Sequence, residues 1–434
     1  VEQGKQILNA QVSVEDENQR LLVLTCRALD QWQDHGVQLR YSFRLYPTAG
    51  QRVALARAFG CARVVFNDGL RARQEAHKQG LPYISDAELS KRVVTEAKRT
   101  GQRCWLSEVS AVVLQQALAD LNKAYRNFFD SIIGERKGVK AAPPRFRSKK
   151  DGRQAIRFTK NARFSITVSG KLRLPKIGDV PVRWSRALPT EPSSVTVVKD
   201  AAGRYFASFV VEAVEQPLPA VEAETGIDLG LRHFAVLSNG RKIDAPRFLR
   251  RAERRLKKLQ RALSRKQQRS NNRAKARLKV ARQHAKVADA RREFHHQLST
   301  RLIRENQAVV VEDLAVKGLA RTRLAKSVHD AGWSQFVAML EYKAALYGRA
   351  FHRVDRWFPS SKLCSTCGAP ATSMPLNVLE WACPCGAVHD RDLNAAINIL
   401  AAGRADRLNA CGARVRPGPA PAQREEAGSR RGAA

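Results

Sequence analysis

Acidic residues are scarce in this sequence of 434 residues: 40 Asp and Glu stand against 77 Lys and Arg, which leaves a formal net charge of +37. A compact body with that charge repels itself unless a polyanion is bound, so the expected partner is nucleic acid, with an anionic membrane second. Apolar runs long enough to cross a bilayer are missing, and so is a secretory signal. We therefore expect a cytoplasmic protein that binds no membrane and is nucleoid-associated when it is bound to DNA.

Cysteine is also infrequent, with eight residues, of which four are scattered and four are clustered. This distribution favours a reduced compartment with one metal site over a disulfide framework. The clustered residues form the pairs Cys364-x2-Cys367 and Cys383-x-Cys385, and a glycine follows each pair. Four thiolates fit one tetrahedral Zn²⁺ that leaves no open position for water, so we predict a structural zinc ion. Buried free thiols are the alternative, and His389 is interpreted as a bystander.

Methionine occurs only at positions 339 and 374, and the sequence begins with Val1. A start at a non-ATG codon, or trimming, would explain that beginning. Residues 1–36 are mixed and polar, whereas polar and apolar residues alternate from Val37 to Leu45 and predict a strand. We treat residues 1–36 as an N-terminal extension and expect the functional protein to begin near Val37.

Helical and strand patterns follow one another along the first half of the chain. Residues 51–132 are helical, and the apolar residues from Leu114 to Phe128 recur at steps of three and four, which is typical of a helix packed on a core. The composition changes at Gly134, and the short alternating segments beyond it include a hairpin over 194–211. The length and these changes indicate two or three domains.

Two segments concentrate the positive charge. The stretch after Gly134 is basic and interleaved with Phe146 and Phe158, which suits a phosphate backbone with stacked bases, although a solvated loop is the alternative. Residues 250–286 read as long helical sequence with sixteen Lys or Arg against the single acid Glu253. Like charges at helical spacing destabilise a helix unless phosphates screen them, so this segment is predicted to bind nucleic acid.

Three carboxylates form the candidate catalytic site. Asp228 follows the apolar residue Ile227 in a predicted hairpin. In that hairpin Leu229-Gly230 lets the backbone pass closely. Glu312 follows a predicted buried strand over 307–311. Asp392 stands with Asp390 at the start of an apolar helix, where an acid is usually only a cap. Residues at strand ends converge on one sheet edge, and clustered carboxylates require divalent cations. Two Mg²⁺ ions about 4 Å apart would fit these hard oxygen ligands and support phosphodiester cleavage.

Six segments resemble the TnpB family, whose members are insertion-sequence-encoded proteins long labelled transposases and related to compact type V CRISPR effectors. They are YSFRLYPT (41–48), FGCARVVFN (59–67), GIDLGLRHFAVL (226–237), VVVEDLAVKGL (309–319), DRWFPSSKLCSTCG (355–368) and CGAVHDRDLNAAINIL (385–400). The resemblance runs from about 37 to 415 in family order. The one-residue gap between Cys383 and Cys385 and the extension before Val37 depart from the family pattern.

The resemblance implies an α/β, RNase H-like RuvC nuclease interrupted by a zinc-knuckle insertion and preceded by a β-barrel wedge domain with a helical recognition insertion. It implies catalytic acids at Asp228, Glu312 and Asp392 and zinc ligands at the four clustered cysteines. The expected boundaries are 37–50 and 133–221 for the wedge, 51–132 for recognition, 222–358 and 389–403 for the nuclease, 359–388 for the zinc knuckle and 404–434 for a disordered tail.

The activity implied is RNA-guided cleavage of DNA beside a short element-associated motif. The guide RNA would derive from the element's end, the target would be double-stranded DNA, and we expect a monomeric ribonucleoprotein. Two alternatives stay open at this point. A guide-independent RuvC-like junction nuclease would cut branched DNA without RNA, and a non-cutting nucleic-acid-binding regulator would explain the charge but not the three carboxylates.

Overall fold

The computed structural model describes residues 37–136, 138–213, 216–371, 373–375 and 378–410, together with two short paired strands at Arg414–Val415 and Arg424–Glu425. The predicted extension over residues 1–36 lies outside the described residues. The chain divides into two compact units, one reaching to Val214 and the other starting at Glu215. Among the described helices, none combines the length and the apolar character needed to span a membrane.

The first unit is built on an antiparallel five-stranded sheet with the order β2-β7-β8-β1-β6. Strand β1 pairs with β8 over its whole length, from Val37 opposite Ala213 to Leu45 opposite Tyr205, so the segment before the helices lies inside the sheet. The strands are β1 (Val37–Leu45), β2 (Gln154–Thr159), β6 (Val182–Arg183), β7 (Ser194–Lys199) and β8 (Tyr205–Ala213). The hairpin predicted over 194–211 is confirmed by β7 and β8.

A second sheet of three short strands accompanies this one. It consists of β3 (Ser165–Ile166), β4 (Leu172–Leu174) and β5 (Gly178–Val180). In the described residues the two sheets are open, because the five-stranded ladder ends at β2 and at the two-residue strand β6. The closed barrel of the predicted wedge domain therefore stays a prediction.

Helices dominate the segment from Ala49 to Ile132, as the periodicity predicted. They are α1 (Ala49–Lys78), α2 (Asp86–Ser90) and α3 (Ala111–Ile132), with short helical turns over 91–96, 97–99 and 104–108. The predicted apolar stripe of α3 is buried at Leu114, Leu118 and Leu121. These side chains belong to the same core as Phe43 and Phe209 of the sheet, so the helices and strands of this unit share one hydrophobic core.

The second unit carries a mixed five-stranded sheet with the order β11-β10-β9-β12-β13. Strands β9, β12 and β13 are parallel, while β10 runs antiparallel to β9 and to β11. The strands are β9 (Glu224–Asp228), β10 (His233–Leu237), β11 (Lys242–Asp244), β12 (Ala308–Glu312) and β13 (Ala350–Val354). The helices are α4 (Phe248–Ser264), α5 (Asn271–Glu305), α6 (Val316–Leu319), α7 (Ala325–Ala331), α8 (Trp333–Leu346) and α9 (Arg391–Ala410), and a hairpin of β14 (Glu380–Ala382) and β15 (Val388–Asp390) precedes α9.

The basic segment over 250–286 forms parts of two packed helices, α4 and α5. The chain turns between them at Arg269, whose φ is +64°, and the Ser270 hydroxyl then caps α5 by accepting a hydrogen bond from the amide of Arg273. The buried residues of α5 begin at Val287, so its basic first half turns its charges to solvent.

The last helix is longer than predicted. Helix α9 continues to Ala410, so the expected boundary between helix and tail at residue 403 is wrong. The extension has a physical basis in two ion pairs, because Arg404 and Arg407 of α9 each lie 2.6 Å from a carboxylate oxygen of Glu224 at the start of β9. Apart from the two short paired strands, the remainder of the predicted tail lies outside the described residues.

Candidate active site

Two of the three predicted acids end neighbouring parallel strands. Asp228 is the last residue of β9 and Glu312 is the last residue of β12. The register pairs Ile227 with Val311, so the following residues of the two strands lie side by side at the carboxyl edge of the sheet.

Helix α9 brings the third acid to the same edge. A Cβ added at Gly226 of β9 would lie 2.2 Å from the carbonyl oxygen of Ala396 and 2.6 Å from the amide nitrogen of Leu400. At Gly403 an added Cβ would lie 2.5 Å from a methyl group of Val310 on β12. The two glycines therefore let the helix backbone lie directly on the two strands that carry Asp228 and Glu312.

Asp390 and Asp392 both lie at the start of α9, but only Asp390 is described as accepting a hydrogen bond from a backbone amide of the first turn. The Oδ1 atom of Asp390 accepts a hydrogen bond of 2.9 Å from the amide of Leu393, while its Oδ2 lies 2.5 Å from Nζ of Lys242. Burial alone would raise the pKa of Asp390, but these hydrogen bonds lower it. Because Asp390 already caps the helix, Asp392 in the first turn is not needed for capping.

Asp228 is within electrostatic reach of the other two carboxylates. Burial raises its pKa from the ordinary 3.8 to about 7, and the negative charges of Asp392 and then Glu312 add to this shift, while Arg391 opposes it. Burial, followed by the charge of Asp313, also raises the pKa of Glu312. The structure thus brings all three predicted acids together, in a setting that disfavours the ionisation of Asp228 and Glu312 unless a cation is present.

The four predicted cysteines form a tighter group than the acids. Among the described residues, the sulfurs of Cys364, Cys367, Cys383 and Cys385 are the group of possible ligand atoms that all lie within 4.8 Å of one another. The Sγ atoms of Cys364 and Cys385 are 3.7 Å apart, and those of Cys367 and Cys383 are 3.6 Å apart. Four sulfurs held tetrahedrally at about 2.3 Å from zinc would be about 3.8 Å apart, so the cluster fits this ion. The shorter spacing of the second pair does not prevent convergence.

His389, which the sequence analysis interpreted as a bystander of the metal site, contacts one of the four cysteines. Its Nε2 atom lies 3.0 Å from Sγ of Cys364, and both side chains are buried. Burial opposes ionisation of the Cys364 thiol, but hydrogen bonds from the amide of Cys367 and from His389 lower its pKa to about 5. The sequence could not show this contact, because it depends on the β14–β15 register, which sets His389 opposite Trp381.

A cavity of about 270 Å³ lies elsewhere in the second unit, and none of Asp228, Glu312 and Asp392 lines it. Its walls include the β9–β10 loop at Gly230 and Leu231 and the segment after β11 from Ala245 to Phe248. Arg250, Arg291 and Asp330 also line it, so its wall is charged and partly aromatic. Sequence reasoning did not identify this cavity, because it is formed by side chains from distant elements.

Three family models match separate parts of the chain. Residues 208–323 match a family described as "Probable transposase", residues 333–399 match "Cas12f1-like, TNB domain", and residues 37–81 match "Helix-turn-helix domain". Within residues 37–81 the structure has strand β1 and the single long helix α1. The first two matches include Asp228, Glu312, Asp392 and the four cysteines.

Two curated relatives match most of the chain. A protein of Streptomyces pristinaespiralis, named "Putative RNA-guided DNA endonuclease", is 47% identical over 388 residues, which cover 88% of this chain and 92% of the relative. InsQ of Escherichia coli K12, which carries the same description, is 31% identical over 87% of this chain and 95% of its own. A solved structure entitled "Cryo-EM structure of the Cas12f1-sgRNA-target DNA complex" has a TM-score of 0.51 at 12% identity and covers 84% of this chain and 98% of that one, which shows a shared fold.

Proposed function

Because the chain belongs to the TnpB (OrfB) family of transposon-encoded proteins, whose curated members are named RNA-guided DNA endonucleases, we propose that it is an RNA-guided, metal-dependent DNA endonuclease. The observation that carries the proposal is the convergence of Asp228 with Glu312 and Asp392, whose negative charges both raise the pKa of Asp228 at one sheet edge. A binding protein without nuclease activity has no need for three mutually repelling carboxylates on two strands and a helix.

The strand order supports an RNase H-like nuclease core. In β11-β10-β9-β12-β13 the first three strands in chain order form an antiparallel meander, and the next two lie parallel to the first. The site lies at the carboxyl ends of the parallel strands, where open α/β sheets place their ligands. We assign residues 222–358 and 389–403 to this nuclease, extended along α9 to Ala410.

Two Mg²⁺ ions are the cofactor proposed for this edge, with Asp228, Glu312 and Asp392 as their ligands. All the donor atoms are carboxylate oxygens, which suit a hard cation, and the raised pKa of Asp228 marks a negative cluster that a cation would relieve. When bound, such ions supply the Lewis acidity that activates water and stabilises the leaving oxygen in phosphodiester hydrolysis. The protein itself fixes the positions of the acids, through the β9–β12 register and the seating of α9 on Gly226.

One structural Zn²⁺ is proposed for the four cysteines, in a zinc-knuckle insertion over residues 359–388. The backbone supports this role, because Gly368 and Gly386 have φ angles of +76° and +90° just after the two cysteine pairs. Their amides donate to the carbonyl oxygens of Cys364 and Cys383, which closes a turn around each pair.

Nucleic acids are the proposed partners of the rest of the chain. The solvent-facing basic half of α5, together with α4, offers phosphate contacts to a guide RNA from the element's end and to the double-stranded DNA target. We propose recognition by the helices over 51–132, a wedge formed by 37–50 and 133–221, and a monomeric ribonucleoprotein. The DNA beside the target would carry a short element-associated motif.

The deciding experiment is to co-express the chain with its native downstream flank, purify it and sequence the RNA that accompanies it. One dominant RNA species ending in the flank is expected, and with that guide the complex should cut matching DNA when Mg²⁺ is present. Asp228→Ala should abolish cutting and leave RNA binding intact. Cutting of branched DNA without RNA would instead support the junction nuclease, and guided binding without cutting by the unaltered protein would support the regulator.

A further inference from the structure

Trp357 lies on the loop after β13 with 84% of its surface exposed to solvent. The β12–β13 register pairs Glu312 with Val354, so this loop begins next to Glu312. The exposed indole is thus carried by the same sheet edge as the catalytic acids proposed above. Neither the zinc site nor the carboxylate cluster uses it.

The loop that carries Trp357 is anchored on both sides. The Trp357 amide donates to Oδ1 of Asp355 at 2.8 Å, and the Phe358 amide donates to the carbonyl oxygen of Asp355 at 3.1 Å. Arg356 pairs with Asp313, the residue after Glu312. Phe358 packs against a buried cluster that includes Val310 and Val354. These contacts fix the backbone on both sides of Trp357 and thereby keep its side chain exposed to solvent.

Placing an indole in water is unfavourable, because a tryptophan gains more from burial than almost any other side chain. An aromatic ring that stands free beside a nuclease site offers a face on which an unpaired base can stack. Such stacking tolerates any sequence, because every base has a π-face. A guided nuclease requires contacts that accept any base, since the sequence of the strand to be cut differs from one guide to the next.

We propose that Trp357 is a positioning residue that stacks on an unpaired nucleobase of the DNA strand to be cut, next to the scissile phosphate. The inference rests on the proposed function of the carboxylate site. Stacking would fix the strand against the carboxyl edge, beside the ion pair of Arg356 with Asp313. The ligand class is single-stranded DNA, and a protein partner or a second copy of the chain is the competing occupant of this surface.

The test uses the full-length chain with its co-purified RNA. The cleavage positions are first mapped with the unaltered complex, and 2-aminopurine is then placed at the nucleotides beside them. In the cleavage-dead Asp228→Ala background, Trp357 is expected to quench the fluorescent base, and adding Trp357→Ala should remove the quenching. In the active background, Trp357→Ala should lower the cleavage rate at limiting DNA by about tenfold, whereas Trp357→Phe should stay within about threefold.

The unfolding temperature and a matched control variant distinguish base stacking by Trp357 from a merely structural role. Trp357→Ala should unfold at the temperature of the unaltered protein, because the side chain has almost no core contact to lose. Leu324→Ala truncates another exposed apolar side chain of the same unit, with 47% exposure, and should leave quenching and rate unchanged.

Unchanged quenching and unchanged rate in Trp357→Ala would overturn the inference while the proposed function stands. So would a loss of self-association in that variant with DNA handling intact, because the surface would then be a protein contact. Absence of guided cleavage by the unaltered complex would overturn the proposed function itself, and this inference with it.

Discussion

Asp228 is a carboxylate whose burial makes its charge costly until a cation is bound. Its pKa of about 7 lies above the ordinary 3.8, so the folded protein holds this proton more tightly than the unfolded chain does. For metal-free protein this residue should therefore make the free energy of unfolding fall as the pH rises from about 4 to about 7, with the deficit persisting above that range.

Asp228→Asn removes this penalty. Without Mg²⁺ we expect the variant to be more stable than the unaltered protein at pH 8, by on the order of 2 kcal/mol, and the difference should shrink towards pH 4. Thermal unfolding at the two pH values measures it. Added Mg²⁺ should raise the unfolding temperature of the unaltered protein much more than that of the variant. Asp244→Asn, at a side chain that is 94% exposed, is the control that should show neither effect.

At the scale of single residues, the sequence located the acids but not their surroundings. Asp228 and Glu312 could be placed at strand ends because apolar runs stop there. The capping by Asp390 and the contact of His389 with Cys364 could not be predicted, because both depend on how the β14–β15 hairpin joins α9. The sequence interpretation placed a close backbone approach at Gly230, where an added Cβ would lie 3.1 Å from the carbonyl oxygen of His233, but the tightest approach is at Gly226.

Helix α9 is the element on which the site geometry depends. Gly226→Ala would place a methyl group 2.2 Å from the carbonyl oxygen of Ala396, so the helix must move away from β9. We expect a destabilisation of about 2 kcal/mol or more and a loss of cleavage although all three acids remain. Gly318→Ala, at a position with no atom within 4 Å of the added carbon, should leave both unchanged. A Gly226→Ala protein that unfolds and cuts like the unaltered one would contradict this account.

The β14–β15 hairpin, whose loop contains Cys383 and Cys385, leads into α9, since β15 passes directly into the helix at Arg391. Cys383→Ser should lose the zinc ion, measured by elemental analysis of the purified protein, and should lower both the unfolding temperature and the cleavage rate. Cys104→Ser, at an exposed cysteine of the other unit, should keep one zinc per chain. If Cys383→Ser retained stoichiometric zinc, the ligand assignment would be wrong.

At the scale of the whole molecule, positive charge should dominate nucleic-acid affinity. Arg254, Lys258 and Arg261 are exposed on α4 at steps of four and three. Changing all three to Gln should weaken RNA binding and reduce the slope of log K against log salt by about 2, as expected for three lost contacts to a single strand. Lys replacements of the two arginines keep the charge and should keep the slope. Titrations at several salt concentrations measure this, and an unaltered slope in the Gln variant would place the RNA elsewhere.

The class of each unit could be predicted from the sequence, but the topology could not. Alternation and helical periodicity are local and gave β1, α3 and the β7–β8 hairpin close to their observed bounds. The order β11-β10-β9-β12-β13 depends on pairings between segments far apart in the chain, such as β9 with β12. The helices and the sheet of the first unit share one core, and this too depends on contacts between segments far apart in the chain.

The seating of α9 on β9 also has a consequence for synthesis. Strand β9 leaves the ribosome long before the helix that covers it, and at about 5–20 residues per second the interval from Asp228 to Asp392 lasts roughly ten to thirty seconds. During that time Gly226 has no helix against it and the carboxylate cluster lacks its third member. With the catalytic acids proposed above, we therefore expect that a nascent chain does not cut DNA until translation of its last helix is completed.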